Sequence, residues 1–135
     1  MRYLIMLVTA VALTARQAPT LDAVTDFLLT AAATDFNTHR QVEPARFRNV
    51  RLGHVTSASG EKAYRICGEF LPKGDPATGQ WMRFATVQTS GYEQWLGEQS
   101  ARYCHGSGFS WDQAADLSTR LQQRLDSLRA GDSAR

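Results

Sequence analysis

Leu21, Val24, Phe27, Leu28, Ala31 and Ala32 recur at three- and four-residue steps, which predicts a helix with one buried face. Thr20, just after Pro19, can cap it, and the pattern fades over 37–41, ahead of Pro44. Strand-like runs follow at 47–56, 62–70 and 81–89. In the first, Val50 and Leu52 point one way. In the second, Tyr64, Ile66 and Phe70 share one face, while Arg65, Cys67 and Glu69 share the other. Ser57-Ala58-Ser59-Gly60 reads as a turn, and residues 71–80 (LPKGDPATGQ) as a loop. Three neighbouring strands with short connections predict an antiparallel meander.

Ser90-Gly91 ends the third strand. Tyr92, Trp95, Leu96, Gln99 and Tyr103 then fall at helical spacing. Tyr92 and Trp95 are read there as core plugs that seat the helix on the sheet. His105-Gly106-Ser107-Gly108 is a hinge, and Ser110 with Gln113 fits a capping box. Leu117, Leu121, Leu125 and Leu128 form a narrow stripe on a final helix, with Asp116 and Arg120 spaced for a surface pair. The stripe is expected to pack across the sheet in a monomer, with a dimer seam as the alternative. The expected fold is α+β: a three-stranded antiparallel meander packed with an N-terminal helix and two C-terminal helices, held by one disulfide. It forms a single domain over 20–129, followed by a frayed tail at 130–135.

Composition narrows the function classes. The 135 residues suit one domain, with 15 basic against 13 acidic side chains and three histidines. Arg2 is the only charge in the first fifteen residues, so their removal would leave 14 basic against 13 acidic groups. Such a balance lacks the basic footprint of a nucleic-acid binder. One stretch, Arg46-Phe47-Arg48-Asn49-Val50-Arg51, is locally basic, and strand alternation puts Arg46 and Arg48 on one side. A solvated strand face and a contact for a small anion are both compatible with it.

The N-terminus carries the clearest functional signal. Met1-Arg2 precedes a nearly unbroken apolar run from Tyr3 to Ala15, with A-x-A at Ala10-Val11-Ala12 and Leu13-Thr14-Ala15 offering a second cleavage site. This is the layout of a secretory signal peptide over 1–15. The run falls short of the roughly 20 apolar residues of a membrane-spanning helix, so no stable anchor is expected after cleavage. Export to the periplasm or beyond favours joining Cys67 to Cys104, the only two cysteines. A loop of that length is worth about 3–4 kcal/mol in the chain-entropy model.

Assembled chemistry is absent from the sequence. His39, His54 and His105 share no metal-ligand spacing, and no metal or cofactor is expected. Ser59-Gly60-Glu61-Lys62 matches S-x-x-K but sits in a turn of a short chain. There is no glycine-rich nucleotide fingerprint and no nucleophile elbow. Glu69 beside Cys67 is placed to be pinned by Arg48 or Arg51.

Phe47-Arg48-Asn49-Val50-Arg51, then Ile66-Cys67-Gly68-Glu69, an aromatic strand, Trp95 and Tyr103-Cys104 together resemble a group of small exported bacterial proteins of uncharacterised function. The resemblance spans about residues 20–128 and is most specific from Phe47 to Cys104. Phe70-Leu71-Pro72-Lys73-Gly74 stands where many relatives have an asparagine- and glycine-rich strand, which marks a divergent member. It implies export and the cysteine pairing, and carries no activity, cofactor or catalytic residue.

The expected function is that of a binding or interaction module of the bacterial envelope, inhibitor-like in one version, acting on an envelope protein partner. Its expected contact surface is Arg65, Glu69, Lys73, Asp75 and Trp81. The alternative is a small envelope hydrolase using His54 or His105 with Glu69.

Overall fold

The computed structural model describes residues 19–39, 42–74 and 79–133. The expected signal segment lies outside the described residues. Helix α1 (Leu21–Thr38) is followed by β1 (Pro44–Thr56), β2 (Lys62–Pro72), β3 (Met82–Gln88) and β4 (Tyr92–Leu96). A 3-10 helix (Gly97–Tyr103), β5 (Phe109–Trp111) and α2 (Ser118–Ser133) complete the order. The strands form one antiparallel sheet in the order β4-β3-β2-β1-β5. Among the described residues, no helix is long and apolar enough to cross a membrane.

Both α-helices pack on one face of the sheet. Thr20 caps α1 by accepting from the Ala23 amide at 3.1 Å. Phe36 then meets Phe47, Phe70 and Phe84 at ring-centroid distances of 5.4, 5.1 and 5.3 Å. Leu117, Leu121 and Leu125 are buried in the same core, so the leucine stripe packs internally. Phe27, expected on the buried face of α1, is 42% exposed. The face turned inward is instead Val24, Leu28, Leu29, Ala32, Ala33 and Phe36, because α1 meets both the sheet and α2.

Three expectations are corrected. The sheet has five strands rather than three. The helix expected from Tyr92 to Tyr103 is a strand and then a 3-10 helix. Thr89 Oγ1 accepts from the Gly91 amide at 3.1 Å, which closes a turn and folds β4 back onto β3. Gly97 at φ +76° then leaves the strand, a backbone state that residues with a Cβ rarely adopt. Tyr92 and Trp95 therefore point to opposite faces. Trp95 packs in the small second core by stacking on Tyr103 at 5.1 Å, whereas Tyr92, expected as a core plug, is half-buried and donates to Asp35 Oδ1 at 3.1 Å.

The third correction concerns the last helix. Ser110 lies in β5 and caps nothing, since α2 begins at Ser118. The Leu121 amide donates to Leu117 O at 3.0 Å, and the Leu117 amide donates to Val50 O at 2.7 Å, tying the helix start to β1. Asp116 does not make the expected pair with Arg120 but accepts from the amide and hydroxyl of Ser118. The helical link to α1 comes from Arg124, which pairs with Asp26. α2 runs to Ser133, past the point where the tail was expected to fray.

Candidate functional site

The apolar residues Phe47, Val50 and Leu52 all face the helices, yet the step from 47 to 50 is odd and violates strand alternation. The chain resolves this with a bulge between Arg48 and Arg51. Asn49 takes φ +55° there, and asparagine is among the few residues with a Cβ that do so readily. Burial pushes the Asp116 carboxyl up, but hydrogen bonds from Ser118 and from the Asn49 and Val50 amides outweigh it and hold the group below its ordinary value. Those bonds stitch the bulge to the start of α2.

The bulge decides the chemistry of the other face. It brings Arg48 and Arg51, an odd step apart, to the same side, opposite Glu69 and Cys67. Arg46 joins them, as alternation predicts. Its guanidinium carbon lies 5.7 Å from the Trp81 ring centroid and that of Arg48 lies 4.1 Å away. Arg48 Nε also donates to Glu69 Oε2 at 2.6 Å, the structural ion pair anticipated for Glu69. Arg51 stacks at 4.0 Å on Trp111, which is 40% exposed.

The 3-10 helix covers β3 and β4 on this face and reaches over β2 at Arg65. Cys67 and Cys104 form the expected disulfide, with Cα atoms 6.1 Å apart, and with Ala85, Val87, Trp95 and Tyr103 they make a small second core. Beside it the face stays open as a groove of about 280 Å³. The groove runs over the Gly68 backbone and the disulfide, with Asn49, Arg51, Glu69, Arg83, His105 and Trp111 around it. Gly68 is required because a Cβ there would stand 2.7 Å from Val50 Cγ2 on the helix side. A larger hollow of about 460 Å³ lies between α1 and α2, but Arg124 beside it is already bonded to Asp26 and Thr30.

The expected contact residues separate. Glu69 and Trp81 belong to the open face. Arg65 does not: it is 7% exposed and donates to the carbonyls of Tyr103 and Ala63, each at 3.2 Å. Burial lowers its guanidinium from the ordinary value, with Tyr103 opposing. The strand pattern placed Arg65 on the correct face, but the 3-10 helix folds over it. Lys73 lies at the strand end, 3.7 Å from Glu43 Oε1. Asp75 lies outside the described residues.

The two histidines of the hydrolase reading also divide. His54 shares a face with Tyr64 and so lies across the sheet from Glu69. Its Nδ1 is 2.8 Å from Asp112 Oδ1, and both side chains are about nine-tenths buried. Asp112 was not singled out in the sequence, because β5 brings it to β1 from 58 residues away. His105 does line the groove with Glu69. Arg83 was likewise missed in the sequence, where it is one charge in a strand of unclear faces.

No protein-family model, curated protein or solved structure matches this chain.

Proposed function

We propose that this protein is an exported interaction module of the bacterial envelope, and that the face of its sheet opposite the two α-helices is the contact surface. One observation carries the reading: the Arg48 and Arg51 guanidinium groups lie over the Trp81 and Trp111 rings, 4.1 and 4.0 Å from their centroids, and Arg51 and Trp111 line an open groove. Arginine and tryptophan are the side chains that most often dominate binding energy at protein interfaces. Stacking fixes their rotamers before a partner arrives and so lowers the entropy lost on association. The signal-like N-terminal sequence and the disulfide support placement in an oxidising compartment.

A photoreactive amino acid at position 111 tests the surface. Crosslinking in cells to an envelope protein, without the same product from position 27 on α1, is the expected result. Equal products from both positions, or none from 111, would remove the proposed face. Intact-mass and non-reducing peptide mapping of cell fractions tests export. Cleavage after Ala12 or Ala15 with Cys67 joined to Cys104 is expected; an uncleaved cytoplasmic chain with free thiols refutes it.

A hydrolase using His105 with Glu69 is the second reading, favoured only by their place on one groove. The bond from Arg48 occupies Glu69 Oε2 in an ion pair, so that oxygen is already engaged.

A further inference from the structure

We infer that the groove receives a carboxylate from an acidic segment of a partner protein, gripped between Arg51 and Arg83. This rests on the interaction-module reading and specifies its chemistry. Thirteen of the fifteen basic residues are arginine, and neither lysine lines the groove. Arginine differs from lysine in offering a planar fork that matches a carboxylate with two parallel hydrogen bonds.

The arginines of the face fall into two sets. Arg48 is committed, bonded to Glu69 and stacked on Trp81. Arg51 and Arg83 have no carboxylate partner among the described residues, although both line the groove. Arg51 is stacked on Trp111, so its ring contact takes one face of the guanidinium and leaves the N–H edge available. Arg83 sits opposite Glu69 on the adjacent strand without reaching ion-pair distance. His105 adds a ring nitrogen at the rim, while the Asn49 amide is directed at Glu69 Oε2, 3.5 Å away.

Size and charge select among anions. A groove of about 280 Å³ admits one small anionic group rather than a chain of them. Glu69 already places one negative charge in it, which opposes a dianionic phosphate more strongly than a singly charged carboxylate. Trp111 lines the groove beside Arg51, where a residue next to the acidic one in an extended segment would rest. A peptide segment provides such a neighbour; a free carboxylic acid does not.

The test is a titration of isotope-labelled protein with a capped acidic octapeptide of glutamate and leucine, followed by NMR. Saturable shifts of the Arg51 and Arg83 Nε–H signals and the Trp111 indole N–H are expected. Two charge-assisted hydrogen bonds make each arginine worth at least a tenfold change in affinity. Arg51→Gln and Arg83→Gln should therefore each weaken binding tenfold or more, whereas Arg120→Gln on α2 should leave it unchanged. Shifts confined to other surfaces, or none at millimolar peptide, overturn the inference. Inorganic phosphate that shifts these signals where the peptide does not also overturns it. Failure here leaves the crosslinking result at position 111 standing, so the two proposals fail separately.

Discussion

Replacing both cysteines, in Cys67→Ala/Cys104→Ala, isolates the term that holds the groove's side wall. The bridge closes a loop with a sequence separation of 37. The chain-entropy relation gives about 4 kcal/mol for a loop of that length, exerted mainly on the unfolded ensemble. For a domain of roughly this size that corresponds to a fall in Tm of about 15 °C. The folded state should survive, because other contacts seat the 3-10 helix. Tyr103 stacks on Trp95, and Arg65 holds the Tyr103 carbonyl. Urea unfolding followed by tryptophan fluorescence is a direct assay, since Trp95 packs in the cluster that holds the bridge. The midpoint should drop and the m-value should rise, since an uncrosslinked chain exposes more surface on unfolding. A loss below about 1 kcal/mol would refute the entropic reasoning, because the loop length alone demands more. A folded baseline that already shows Trp95 in water would refute the claim that the remaining contacts hold the helix.

Three further perturbations probe the parts that shape the site. Gly68→Ala places a Cβ 2.7 Å from Val50 Cγ2 and 3.1 Å from Val50 Cα, so it should cost about 1–3 kcal/mol in urea unfolding. Adding Val50→Ala should recover little of that loss, because the backbone of the bulge is itself in the way. Asp112→Ala leaves the buried His54 ring without its partner and should destabilise by about 1–3 kcal/mol, measured the same way. Asp116 is held below its ordinary pKa in the fold, so its contribution is complete above about pH 4 and is lost as pH falls through the lower folded value. The stability gap between wild type and Asp116→Asn should therefore narrow from about pH 6 to about pH 3, and a constant gap would contradict it.

Local pattern was enough to place α1, the first three strands and the leucine helix, because burial of one face imposes a period on the residues that supply it. Thr20, the turn at Ser57–Gly60 and the pairing of Cys67 with Cys104 were legible for the same reason: each needs only its own chemistry and a compartment. The segment Tyr92–Tyr103 was misread because Tyr92, Trp95 and Leu96 at three- and four-residue steps suit one helical face, whereas the strand turns Tyr92 and Trp95 to opposite faces. What settled it was the pairing of this segment with the outer edge of β3, from Phe84 opposite Leu96 to Gln88 opposite Tyr92.

The open face depended still more on assembly. Phe47 and Val50, three apart, carry the trace of a bulge, with Asn49 between them to accept a positive φ. Only the packed sheet shows that the bulge turns Arg51 outward beside Arg48. Arg65 shows the converse, since the strand pattern gave its face and the 3-10 helix then buried it. By itself the sequence determined which residues must leave water and which two cysteines join, since those follow from local period and composition. Tertiary structure decided which charges remained in water and which aromatic rings they met, because those positions depend on strand order and on what covers each face.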